Sequence, residues 1–132
     1  MEVERLNTPG VNKFANMMGI HFLEIADGRA EAEIEIREDH FHPGGIVHGG
    51  VAYSLADTVM AMTTLSTCKK GENASTVECK MSYMAPCIEG VMKGEAWIVK
   101  RGRRIVFVEA KISVGEKVVA TATATFMIVE MK

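Results

Sequence analysis

Asp57 is the only side chain charged at neutral pH in the stretch from Gly49 to Thr67, which is otherwise apolar, small or hydroxylic. A carboxylate in such a stretch has to be explained by a partner or by a task. Just before it the chain reads HFHPGGIVHGG, His40 to Gly50, a glycine-rich turn opening into an apolar helical pattern. The free N–H groups of a helix start can bind developing negative charge. An acid beside an anion-binding helix start points to a hydrolytic site. The plainer alternatives are an Asp57 held by a backbone group or an arginine, and glycines that only permit tight turns. His40, His42 and His48 invite a metal, but their spacing matches no helical HExxH motif and no acidic cluster completes a ligand set. No metal site is expected, and His48 reads as an orienting residue at the turn.

The elements that position these residues follow from periodicity. Thr8 or Pro9 opens a short helix that Gly19 stops after Met18. Two strands, His21 to Ala26 and Arg29 to Arg37, flank an Asp27-Gly28 turn. In the second, Ala30, Ala32, Ile34 and Ile36 alternate with charged residues. A helix from about Gly49 to Thr67 follows. Four strands come after it: Ser75 to Met84, Val91 to Lys100, Arg104 to Val114 and Val118 to Glu130. The Ala/Thr alternation of the last suits a sheet that curves closely around something. The fold class is α+β, with one long helix wrapped by a curved, largely antiparallel sheet of five to six strands.

Gly49 and Asp57 are eight residues apart on that helix, roughly 12 Å along its axis at ~1.5 Å per residue. A reacting atom must lie about 3 Å from both its base and its oxyanion donors. One chain does not reach both. Two antiparallel helices related by a two-fold axis do, so an enzyme of this design needs a composite site in a homodimer. Tyr53, Ser54, Met60, Ala61 and Thr64 share Asp57's side of the helix. Val51, Ala52, Leu55, Val59 and Met62 form the side suited to the sheet. Phe14, Met17, Met18, Tyr53 and Met60 are assigned to the core, with pocket lining as the alternative.

The 132 residues suit one domain spanning the chain, and 48% hydrophobic with 24% charged residues is a globular balance. A net charge of −2 argues against a nucleic-acid partner. No stretch is apolar enough to cross a membrane, and MEVERLNTPG is no signal peptide. Cys68, Cys79 and Cys87, odd in number and without metal-type spacing, read as reduced thiols of a cytoplasmic protein. The ten methionines read mainly as adaptable core filler.

The run from His42 through PGGIV, His48, GG and VAYSLA to Asp57 resembles the hot-dog-fold acyl-coenzyme A thioesterases, in particular the phenylacetate-pathway (PaaI-type) branch. TVECKMSYMAP is similar to that family's strand after the helix and KRGRRIVFVEAKI to its later hairpin, so the resemblance spans nearly the whole chain. It implies that the Gly49 N–H polarises the thioester carbonyl. It implies that Asp57, supplied by the neighbouring subunit, is nucleophile or base toward water. His48 and Gly50 complete the turn, and Thr76, or its neighbour Ser75, supplies a hydroxyl that helps place the water. His42 stands where many relatives have Asn; an imidazole donates as an amide does, but its charge depends on pH. Lys100, Arg101, Arg103 and Arg104 form the dense basic run that the resemblance turns toward the phosphates of coenzyme A, with Lys69 and Lys70 as weaker candidates. Read without it, the run is a solvated hairpin. The implied assembly is a homodimer or a dimer of dimers, with no cofactor beyond the coenzyme A of the substrate. Two other functions compete. Asp39-His40-Phe41 superficially resembles hot-dog dehydratases, but their helix acid would fall near Ser54. A non-catalytic acyl-CoA sensor is the other.

Overall fold

Strands arise where side chains alternate, and the one long apolar segment fills the concave side of the sheet they build. The computed structural model describes residues 2–131. Two short helices, α1 (Val3–Asn7) and α2 (Lys13–Met18), precede β1 (Ile20–Ala26) and β2 (Arg29–Glu35). A single 3-10 turn at Glu38–His40 leads to α3 (Gly49–Leu65). Then come β3 (Glu72–Tyr83), β4 (Val91–Arg101), β5 (Ile105–Val114) and β6 (Lys117–Glu130). The six strands form one antiparallel sheet in the order β1-β2-β4-β5-β6-β3. This is the hot-dog arrangement, a long helix held in a curled sheet.

Small side chains let the helix seat deeply. Ala30, Ala32, Ala96, Ala110, Ala120, Ala122 and Ala124 are all buried on the inner face, while Leu55, Ala56, Val59 and Met60 of α3 are buried against them. The Ala/Thr alternation in β6 is this division: the alanines point inward and Thr121, Thr123 and Thr125 outward. Asp27 and Gly28 both take positive φ, 51° and 79°, which makes the two-residue β1–β2 turn that Asp-Gly favours.

Three expectations need correction. The helix placed from Thr8 or Pro9 starts only at Lys13, where the Asn12 side chain accepts from the Ala15 N–H. Thr8 instead closes a helix the periodicity did not show, α1, by donating its hydroxyl to the Glu4 carbonyl. Thr64, grouped with Asp57 in a stripe of mixed character, is wholly buried, and so is Met60 of the same stripe, in keeping with its core assignment. Phe14, Met17 and Tyr53, assigned to the core, are exposed; Met17 leaves 62% of its surface open.

Candidate active site

The start of α3 is built by a loop that folds back on itself. Gly45 (φ 85°) donates its N–H to the His42 carbonyl, His42 donates to Ile46, and Val47 is tied to the Cys87 carbonyl. His42 Nδ1 accepts the Gly44 N–H at 2.8 Å, its ring lying where a Gly44 Cβ would be. His48 caps the helix, its Nδ1 accepting the Gly50 N–H at 2.8 Å, while the Val51 N–H bonds to the His48 carbonyl. The Gly49 N–H has no partner within the helix and stays available at the positive end of α3. With both Nδ1 atoms accepting, the hydrogen bonds leave the proton of neutral His42 and of neutral His48 on Nε2. Among the described residues, no group of three or more His, Cys, Asp and Glu side chains is placed to hold a metal ion.

Asp57, half-buried two turns into the helix, accepts a hydrogen bond at 2.8 Å from Thr76 Oγ1 on β3. Of the two neighbouring hydroxyls, it is that of Thr76 and not that of Ser75 that reaches Asp57. The β3–β6 register slips between Thr76 and Glu78, so Val77 is bulged out of the ladder. Cys79, Met81 and Tyr83 pair with the inward alanines of β6; without the bulge Ser75 would share their face. With it, Thr76 pairs with buried Phe126 and faces α3, and Ser75 turns outward opposite Met127. Tyr53 and Cys79 sit beside Asp57. The Cys79 thiol, followed by burial, pushes the Tyr53 phenol up; burial pushes the Cys79 thiol up. Both stay neutral near pH 7.

Tyr83, which the motif did not single out, lies at the other end of β3. Its hydroxyl donates to the Gly49 carbonyl at 2.7 Å, and a Cβ on Gly49 would lie 3.3 Å from its ring. Tyr83, Gly49, His42 and the segment Met84 to Cys87 border a cavity of about 600 Å³ that reaches buried Met92 and Ala120. A second cavity, of about 570 Å³, lies across the helix start between α2 and α3, bordered by Phe14, Met17, Met18 and Ser54. The helix start therefore stands between two cavities, and His48 and Gly50 border both.

His40 is buried and occupied: its Nδ1 accepts from the Arg37 N–H and its Nε2 lies 2.8 Å from the Met18 carbonyl. Ser54 donates to the Gly50 carbonyl. Neither is free for the acid–base work a dehydratase needs. The basic run is split by a bulge in β4 at Val99: Lys100 opposes exposed Phe107 on the outer face, Arg101 opposes buried Val106 on the helix side. Arg101 ties the end of α3, Nε donating to Thr67 Oγ1 at 3.0 Å and Nη2 to the Thr67 carbonyl at 3.3 Å. Arg103, Arg104 and Lys69 join it around a cleft of about 410 Å³ that also contains Glu72 and Glu130.

A long helix inside a curled sheet, with an uncommitted amide at its start and a hydroxyl-held acid further along, is the arrangement of the hot-dog fold. The chain belongs to the Thioesterase superfamily, whose family profile matches residues 44–121, more than half of the chain. A Saccharolobus solfataricus protein bearing an esterase name is 32% identical over 71% of this chain and 62% of its own length, so the chain spans less than two thirds of that relative. Human acyl-coenzyme A thioesterase 13 is 26% identical over 76% of this chain and 72% of its own. A mutant of the phenylacetic acid degradation protein PaaI from Thermus thermophilus superposes with a TM-score of 0.82 at 28% identity, covering 88% of this chain and 98% of that one.

Proposed function

We propose that the protein hydrolyses an acyl- or aryl-CoA thioester to a carboxylic acid and free coenzyme A, at a site shared by two copies of the chain. The observation that carries this is the pairing, on one unbroken helix, of an uncommitted Gly49 N–H with an Asp57 already oriented by Thr76. The two remain roughly 12 Å apart along the axis, too far for one carbonyl to meet both. A second, antiparallel copy brings the partner subunit's Asp57 to the first copy's Gly49. Exposed Tyr53 and Val77, next to Asp57 and Thr76, support a partner there.

The thioester carbonyl rests on the Gly49 N–H, with the His42 and His48 Nε2–H groups as nearby donors. The partner subunit's Asp57, through the oxygen Thr76 leaves free, takes a proton from water as the water oxygen bonds to the carbonyl carbon, or attacks that carbon itself. Negative charge builds on the carbonyl oxygen at the helix end. Collapse breaks the carbon–sulfur bond, and the leaving coenzyme A sulfur takes up the proton that Asp57 accepted from water. On the direct route, water then cleaves the acyl–Asp57 anhydride, which releases the carboxylic acid, restores the carboxylate and supplies that proton. Along the partner's own helix, Thr67 lies ten residues beyond Asp57, roughly 15 Å, and is tied to Arg101. The cleft of Lys69, Arg101, Arg103 and Arg104 thus stands about a pantetheine arm from the chemistry and suits the coenzyme A phosphates. Lys100 is left for the outer rim.

The test is turnover of an acyl-CoA panel, aryl-acetyl to medium-chain, followed by loss of thioester absorbance. Asp57→Ala should lower kcat by about 10²–10⁴ with the fold and dimer intact. Equal turnover by the variant would remove Asp57 from the chemistry; tight acyl-CoA binding with no hydrolysis by either protein would reject the assignment and favour a binding module.

A further inference from the structure

The Gly49–Gly50 peptide group is gripped at both ends by side chains from different elements. Its N–H goes to His48 Nδ1 at 2.8 Å, and its carbonyl receives the Tyr83 hydroxyl at 2.7 Å. The carbonyl has a second lone pair for the ordinary helical bond, so the Tyr83 contact is additional to the helix and not a substitute for it. We infer that Tyr83 is a positioning residue for the proposed thioester hydrolysis: by holding the peptide that follows Gly49, it fixes the direction of the free Gly49 N–H that receives the carbonyl oxygen. This rests on the thioesterase assignment above.

Three further observations agree. Gly49 has no side chain, and any Cβ there would press on the Tyr83 ring and hydroxyl at 3.3 Å, so the close approach depends on glycine. Burial, followed by the Cys79 thiol, pushes the Tyr83 phenol up, so the hydroxyl keeps the proton it donates through neutral and mildly alkaline pH. And Tyr83 borders the cavity that opens onto Gly49, where an unanchored helix start would be free to shift toward the space. In a two-fold dimer a single strand then serves both sites. Thr76 of β3 orients the acid lent to the partner, and Tyr83 of β3 sets the donor kept at home.

The experiment is Tyr83→Phe, which keeps the ring and deletes the hydroxyl. An oxyanion donor displaced by about 1 Å costs on the order of 10²-fold, and a loosened one costs less, so kcat should fall about 10-fold or more while KM stays within about twofold. The Gly50 amide, followed by hydrogen exchange in NMR spectra, should exchange faster in the variant, with the melting curve little changed. Unchanged kcat would overturn the proposal; a raised KM at constant kcat would make Tyr83 a substrate contact instead. If the wild type hydrolyses no thioester, the thioesterase assignment fails first. The Gly50 exchange rate then still decides the clamp: faster exchange in the variant supports it, an unchanged rate removes it.

Discussion

Asp57 takes its orientation from one hydroxyl, and that makes Thr76 the sharpest residue-level test. A hydrogen bond to a charged group contributes about 1.5–3 kcal/mol. Thr76→Val, which keeps the shape and deletes the donor, should lower kcat by at least about 10-fold, whereas Thr76→Ser should retain most of it; steady-state kinetics on the preferred thioester checks both. His48 offers a matching test at the helix start. Its ring does the work of an N-cap side chain, so His48→Ala should lose about 1 kcal/mol in urea denaturation, while His48→Asn, a good cap, should lose little. Residue identity made Asp57, Gly49 and His48 legible in the sequence, because each is unusual where it stands. Tyr83 was not, because a tyrosine near a strand end has no signature until its partner, a helix carbonyl 34 residues away, is known.

At the level of elements, periodicity located all six strands and the long helix, and what it missed has a common physical form. A bulge shifts every later side chain to the other face. The one at Val77 decides between Ser75 and Thr76, and the one at Val99 sends Lys100 and Arg101 to opposite sides of the sheet. Neither leaves a compositional mark. Tight seating of α3 also draws on Gly94 of β4, where a Cβ would lie 3.0 Å from Leu55 Cγ and 3.3 Å from Ile112 Cδ1. Both neighbours are fully buried, so Gly94→Ala should destabilise the fold by about 1–3 kcal/mol, read as a lower urea midpoint with an unchanged slope. Asn7 shows why the N-terminal segment resists a local reading: it joins α1 to β1 by bonding both the N–H and the carbonyl of Phe22, a tertiary contact that no local pattern reports.

Across the whole molecule, the outer face of the sheet carries a ladder of ion pairs that runs from Glu31 through Lys93 and Glu95 to Lys111. Glu95 on the ladder is opposed by burial, but the hydrogen bond and charge of Lys111, with the charge of Lys93, outweigh it and hold its carboxyl below the usual range. A lowered carboxylate pKa stabilises the fold above the unfolded-state value of about 4.3 and loses that contribution as pH falls through the lowered folded value. Glu95→Gln should therefore be less stable than wild type in urea at pH 7, and the gap should close toward pH 3. The inner face raises the larger question, since its donor and its acid belong to one helix and cannot meet in one chain. Mixing two inactive variants tests that directly. Asp57→Asn keeps Gly49 but lacks the acid; Gly49→Val keeps Asp57 but drives a side chain against Tyr83. In a composite dimer, each mixed pair assembles one intact site and one doubly broken site. Random exchange of equal amounts makes half the dimers mixed, so activity should return to about a quarter of wild type. Mass spectrometry would establish that the subunits have exchanged. Mixed dimers with no recovered turnover would place both groups in the same subunit's site, and the two-chain chemistry would have to be abandoned.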